Sequence, residues 1–326
     1  MIFAKRGYKM RGFSDQWKDF PDYIIGITKE IWEDRGVGPK IRDYYGKDVI
    51  VRMPGGISTG VENTVASTTA TLNEFPDRQL LGEDVIWSGT PEEGMLSSHR
   101  ILSTATHLGS GVFGKATGKA ITYRGIADCY AKDNMITDEW LVRDNGAILR
   151  QIGQDPRDWA ATKVAEGARA FTPDQDISGP YLGKGNDDAW GVALGEILSS
   201  MMQSEFSVVT SQYDRACHLE YAGGISSHGH AAADAFWLPL RASFPSAEFR
   251  IEHQIGLVDP LMPPRAAIRW SLSGQHSGWG AFGTPSQAPV YIMGITHVEF
   301  GPYGVRREYT LFDETAVWMQ ILTHLG

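Results

Sequence analysis

The chain has 326 residues, 42% hydrophobic and 21% charged, a globular composition long enough for two domains that each bury a core. Its formal net charge of −9 argues against nucleic acid or an anionic membrane surface as the main partner. No apolar run approaches the roughly 18 residues of a membrane span, and the basic opening stretch Met1–Gly12 lacks the apolar core of a secretory signal. Cys129 and Cys217 make no disulfide framework and fit a reducing compartment, so the expected location is cytoplasmic.

In chain order, Asp22–Asp34 carries apolar residues at helical spacing and breaks at Gly36 and Gly38-Pro39. Ile41–Gly46 reads as a short helix, and Asp48–Met53 as a β-branched strand ended by Pro54-Gly55-Gly56. Ser58 or Thr59 is placed to cap a helix over Val61–Glu74 that stops at Phe75-Pro76. Four strands follow, Leu80–Ser88, Met95–His107, Lys119–Lys132 and Met135–Arg143, with Asp133-Asn134 as a tight hairpin turn. A helix over Asn145–Ile152 closes a unit spanning 13–153. Residues 154–185 read as a linker, with a helix over Asp158–Arg169 and a turn-rich run from Thr172 to Gly185.

Residues 186–326 repeat the first unit. His107-Leu-Gly-Ser-Gly-Val-Phe-Gly114 recurs as His276-Ser-Gly-Trp-Gly-Ala-Phe-Gly283, and Asp144 as Asp313, each 169 positions on. Glu83, Arg100 and Glu139 recur as Glu252, Arg269 and Glu308 at the same offset. Gly55-Gly56-Ile57-Ser58 recurs as Gly223-Gly224-Ile225-Ser226 at offset 168, so one residue is inserted around His228. Matches this dense are a duplication. Each copy runs helices first, then a mostly antiparallel sheet, then a terminal helix. That is an α+β architecture in which a curved sheet wraps helices around an apolar hollow and leaves its other face to meet a partner.

With these motifs in place, each unit resembles the SnoaL-like polyketide cyclase family, within the cone-shaped barrel fold shared with nuclear transport factor 2 and ketosteroid isomerase. The residues that carry the resemblance are Thr106–Gly114, the strand Gly125-Ile-Ala-Asp-Cys-Tyr130, and the closing Glu139-Trp-Leu-Val-Arg-Asp144-Asn-Gly-Ala-Ile-Leu-Arg-Gln-Ile-Gly153. The second copy keeps Glu308-Tyr-Thr-Leu-Phe-Asp313 but ends in Met319-Gln-Ile-Leu. The resemblance implies two tandem α+β barrels, pairing through their sheets as an intrachain pseudo-dimer with room for further homo-oligomerisation. It also implies an aspartate acid/base that abstracts a proton α to a carbonyl in an intramolecular aldol closure, without metal or organic cofactor. Carried over, that role falls on Asp144 and, through the repeat, on Asp313. The fold itself also hosts binders and structural modules.

The residues leave alternatives open. Period two puts Trp140, Val142 and Asp144 on one face of their strand, and Tyr309, Leu311 and Asp313 on its counterpart, an apolar setting that raises a carboxyl pKa. Both aspartates also immediately precede a helix, where Asp is a favoured N-cap; the two roles can coexist. His107 and His276 are candidates to orient or polarise a carbonyl, or core histidines of a retained scaffold. Asp128 and Tyr130, with His297 and Glu299 in their places in the second copy, read as diverged pocket positions, as does Asp84 replaced by His253. Trp32, Tyr44, Tyr45 and Trp87 are placed to line the first hollow, with core packing as their default. His218, Glu220, His253, His276, His297 and Glu299 have ligand chemistry without metal-site spacing, so no metal is expected. Gly109, Gly111 and Gly114 fit a bulge or bend in the sheet and no phosphate loop. The expected partner is a carbonyl-bearing small molecule, and the reading is a cofactor-independent cyclase, isomerase or lyase. A non-catalytic small-molecule binder is the alternative, and an assembly module the third choice.

Overall fold

The computed structural model describes residues 10–326. Residues 1–9 of the basic opening stretch lie outside the described part. Two compact units form: the first comprises residues up to Arg52, Ile57–Leu141 and Ile177–Gly183, and the second Met53–Gly56, Val142–Asp176 and Lys184–Gly326.

In the first unit, helix α1 (Phe20–Thr28) runs into a π-helical turn (Lys29–Glu33), then α2 (Val37–Tyr44), β1 (Tyr45–Met53), β2 (Gly56–Thr59), α3 (Val61–Glu74), β3 (Gln79–Thr90), β4 (Gly94–Thr106), β5 (Ala120–Lys132) and β6 (Met135–Arg143). The sheet order is β2-β1-β6-β5-β4-β3, antiparallel except where β1 lies parallel to β6. Both edges stay open, so the expected barrel is an open, mixed sheet. Asp133 and Asn134 make the predicted β5–β6 turn with φ of 50° and 64°, the left-handed values that short polar residues tolerate there. Helix α1 covers one face of the sheet: Phe20 meets Trp87 edge-on at 5.9 Å, and Ile25 lies against Gly82.

The next elements are α4 (Asn145–Ile152), α5 (Pro156–Ala165), α6 (Ala189–Met202), α7 (Ser207–Gln212), β7 (Tyr213–Tyr221), β8 (Ile225–His228), α8 (His230–Ser243), β9 (Glu248–Leu257), β10 (Arg265–Gln275), β11 (Pro289–Gly301), β12 (Gly304–Phe312) and α9 (Glu314–Leu325). The sheet order β8-β7-β12-β11-β10-β9 reproduces the first, again with one parallel pair, β12 with β7. Helices α6 and α8 fill its inner face, where Trp237 and Trp270 lie 6.1 Å apart. The duplication read from sequence is therefore a repeated topology. The inserted residue falls between the β-hairpin and the following helix: Gly60 and Gly229, both at positive φ, precede α3 and α8 at the restored offset.

The compact units depart from the 13–153, 154–185 and 186–326 divisions. Helices α4 and α5 belong to the second unit, where Ala160, Ala170, Ala316 and Met319 form a small core between α5 and α9. The rest of the linker divides at residue 183. Ile177–Gly183 lies across the outer face of the first sheet, with the Tyr181 ring tilted 4.7 Å from that of Tyr130 and edge-on 6.3 Å from that of Trp140. Lys184–Asn186 instead hydrogen-bonds to Gln254 on the edge of β9. Among the described residues no helix is long and apolar enough to cross a membrane.

Candidate functional site

The repeated aspartates are both helix caps. Asp144 precedes α4, and its carboxylate accepts the N–H groups of Ala147 at 3.0 Å, Gly223 at 2.9 Å and Gly224 at 2.9 Å. Three of its roughly four acceptor positions are thus taken by backbone donors. Asp313 precedes α9 and accepts from the Thr315 N–H at 3.0 Å, the Thr315 hydroxyl at 2.7 Å and Asn145 Nδ2 at 2.6 Å. Burial pushes each carboxyl up to about 6 against the pull of these donors. Both aspartates lie in the second unit.

The repeated histidines staple a loop. Nδ1 of His107 lies 3.1 Å from Thr117 Oγ1, its backbone carbonyl takes the N–H groups of Thr117 and Gly118, and its ring packs 5.4 Å from Phe75. His276 repeats this with Ser286, Gln287 and Phe244. Nε2 of His107 is 3.3 Å from Glu74, a residue replaced by Ser243 in the second copy. The glycines of this motif do not bend the sheet as expected. A Cβ on Gly109 would sit 1.9 Å from the carbonyl oxygen of Asn73, and one on Gly278 1.9 Å from that of Ala242. Their role is to let the loop lie directly on the end of α3 or α8.

Most of the sheet residues read as pocket positions face away from the helices. In register, Tyr130 pairs with Leu96 and Asp128 with Ser98, on the face opposite His99 and Trp87. Asp128 and Tyr130 are buried there, and Trp140, beneath the Arg52 guanidinium at 4.5 Å, shares that face. In the second copy His253, His297, Glu299 and Tyr309 take the same outer side: His297 pairs with Tyr309 and with Ala267, and His253 with Arg269. Burial, with Arg269 and Lys184 nearby, lowers His253 to about 3, and Glu299 bonds Arg307 at 3.1 Å. Trp32 is half-buried on the π-helical turn. Among the described residues no three His, Cys, Asp or Glu side chains converge as metal ligands.

The inner, helix-facing sides differ between the copies. In the second unit this side is filled, and its buried acid is satisfied. The Glu308 carboxylate, held above the ordinary range by burial, accepts from the Tyr213 and Tyr221 hydroxyls, Trp237 Nε1 and the Thr310 hydroxyl at 2.7–3.2 Å. Trp270 bonds Thr296 at 3.0 Å and lies over Gly294, whose Cβ, if present, would be 2.1 Å from the indole. In the first unit Glu139 and Tyr45 keep the acid and one phenol, hydrogen-bonded to each other. Five other positions shrink or turn polar: Trp237 corresponds to Thr68, Trp270 to Ile101, Leu272 to Ser103, Ile268 to His99 and Ile292 to Tyr123. Ile101 remains partly exposed, whereas Trp270 is fully buried. Trp87 runs the other way, being Gly256 in the second copy, but it pairs with Ser97 farther along the strand and packs on Phe20.

Two buried polar atoms on this side have no hydrogen-bond partner among the described residues, Nε2 of His99 and the Tyr123 hydroxyl. His99 is 2% exposed, and burial, with Arg100 second, lowers it to about 4, so it is neutral at pH 7. A buried polar group without a partner costs about 1–3 kcal/mol, and the second copy avoids that cost with isoleucine at both places. His99, Tyr123 and Glu139 were not singled out as site residues from the sequence. For His99 and Tyr123 the signal was there, in the aligned copies, as polar residues in the places of Ile268 and Ile292.

No protein-family model matches the chain, and no curated protein matches it. Solved structures similar to part of it include IdmH of Streptomyces antibioticus, 20% identical over 41% of this chain and 97% of its own, with a TM-score of 0.35. A SnoaL-like polyketide cyclase of Agrobacterium tumefaciens is 15% identical over 41% of this chain and 97% of its own, with a TM-score of 0.34. TsrD of Streptomyces laurentii is 15% identical over 41% and 98%, with a TM-score of 0.35. Each is matched over nearly its own whole length to about two fifths of this chain.

Proposed function

We propose that the chain binds a carbonyl-bearing small molecule between the helices and sheet of its first unit, and that the second unit is a filled twin. The observation that carries this is the buried Nε2 of His99 without a protein partner, on the side where the second copy carries Ile268. A neutral imidazole and a phenol offer donors to a ketone or enol oxygen. Strand geometry places the Cα atoms of His99 and Glu139 about 12 Å apart, two strands over and two residues along, so one molecule can reach both. The resemblance carried by the closing motif points to a cyclic or polyketide-like carbonyl compound. A thermal-shift screen against polycyclic aromatic ketones tests the reading: a hit stabilises the wild type and fails to stabilise His99→Ile. Equal stabilisation of both proteins would refute it.

A second reading, acid/base turnover of that compound, is favoured by two buried acids. Asp144, with its carboxyl held at about 6, is the base the resemblance implies, with His107 beside it in the carried-over scheme and Asp313 and His276 as their repeats. Glu139 is the acid on the inner side of the first sheet. Product formation with a hit from the screen distinguishes them. Loss of turnover in Asp144→Asn supports the carried-over assignment; loss in Glu139→Gln alone moves the base inward; no product from the wild type leaves a binder.

A further inference from the structure

We propose a second, independent ligand site in the second unit, a cleft that takes an apolar monocarboxylate. The cleft has a volume of about 600 Å³, within the range of small-molecule sites. It opens between the linker run that carries Arg169 and Ala170, the β10–β11 strand ends with Pro289, Val290 and Tyr291, and the last turns of α9 with Gln320 and His324. None of the residues named for the function above lines it.

Its walls are preformed. Gln320 accepts the Tyr291 N–H at 2.7 Å and donates to the Tyr291 carbonyl at 2.8 Å, fixing α9 against β11. Phe171 N–H donates to the Pro54 carbonyl at 2.9 Å, its ring lies 5.9 Å from that of Tyr291, and Gln175 Nε2 reaches the Ala170 carbonyl at 3.3 Å. The linker therefore stands as a fixed wall rather than a loose loop.

Charge selects the occupant. The ionisable groups lining the cleft are Arg169, His324 and Tyr291, and no carboxylate lines it. Burial, with Glu252 second, pushes the Tyr291 phenol up to about 12, so it adds no negative charge at pH 7. Glu252 and Asp176 act on that phenol without lining the cleft. Arg169 spends one hydrogen bond on the Ala168 carbonyl at 2.8 Å and makes no ion pair among the described residues, so most of its five N–H donors are open to a carboxylate. His324 sits in the last turn of α9, at the mouth of the cleft's helical wall. Ala170, Pro289, Val290 and the Tyr291 ring supply the apolar surface, so the fitting ligand has a hydrophobic body and a single carboxylate.

The test is calorimetric titration of the full chain with 2-naphthoate and, in parallel, the neutral 2-naphthamide. Naphthoate is expected to bind about tenfold more tightly than the amide, the worth of one charge-assisted contact. Arg169→Gln removes that preference, and because Arg169 is exposed the variant is expected to fold as the wild type does. His99→Ile leaves naphthoate binding unchanged, which separates this site from the one in the first unit. Absence of naphthoate binding, equal binding of acid and amide, an unchanged preference in Arg169→Gln, or loss of naphthoate binding in His99→Ile would each overturn the proposal.

Discussion

The two copies share topology, caps and loop staples, yet their interiors have gone separate ways. In the second unit Trp237, Trp270 and Leu272 fill the space between helices and sheet, and Glu308 has four donors. In the first unit Thr68, Ile101 and Ser103 hold those places, and His99 and Tyr123 bring polar atoms the protein leaves unsatisfied. The lesson concerns which features of a duplicate report function. The residues that stayed the same, His107 with His276 and Asp144 with Asp313, maintain the scaffold by stapling and capping. The residues that changed on the inner face are where the two copies differ in what they offer a ligand.

The largest effect that can break this contrast is on the filled core. Trp270→Ala should cost about 3–5 kcal/mol, as truncation of a fully buried tryptophan does, while Ile101→Ala should cost clearly less because Ile101 is partly exposed. Chemical denaturation reads both, and equal losses would show that the first interior is packed as tightly as the second.

Next in size is a pH effect common to both copies. Asp144 and Asp313 titrate near 6 in the folded chain, above the ordinary 3.8, so the folded state binds protons more tightly than the unfolded state. Their contribution is fully present below about pH 4 and is lost as pH rises through about 6, worth at most roughly 3 kcal/mol per carboxyl. The stability difference between pH 4.5 and 7 should therefore be smaller in Asp144→Asn/Asp313→Asn than in the wild type. Identical pH profiles would contradict it.

Smaller again is the cost of losing a single cap. Asp144→Ala and Asp313→Ala should each destabilise by about 1–2 kcal/mol, and by similar amounts, because each carboxylate accepts three hydrogen bonds. A loss confined to Asp144→Ala would mean that the copies use their aspartates differently. The smallest effect has the opposite sign. His99→Ile should stabilise by up to about 1 kcal/mol by removing an unsatisfied buried nitrogen, and a destabilised variant would show that the imidazole is engaged in the fold.

Much of the fold was legible in the sequence. Val61–Glu74, Met135–Arg143 and Asn145–Ile152 fall where the helix and strand patterns put them, but Gly60 at positive φ, and neither Ser58 nor Thr59, is the N-cap of the first, without a side-chain cap. Period two also sorted the strand residues correctly into two faces, since Trp140 does lie opposite Glu139. It could not say which face meets the helices, because both faces of these strands carry buried side chains, and Asp128, Tyr130, His253 and His297 face away from them. The assignment of α4 and α5 to the second unit was hidden for another reason. It rests on long-range contacts, such as Asp144 with Gly223 and Gly224, that no local pattern encodes.

The central claim is that the first interior holds a ligand and the second does not, and the direct measurement is calorimetric binding of the best ketone from the screen to Ile101→Trp. That substitution gives the first copy the side chain Trp270 supplies in the second, opposite Gly125 as Trp270 is opposite Gly294. With the fold retained by circular dichroism, binding should fall at least about tenfold, the equivalent of roughly 1.4 kcal/mol. Undiminished affinity in the folded variant would place the ligand elsewhere and contradict the claim.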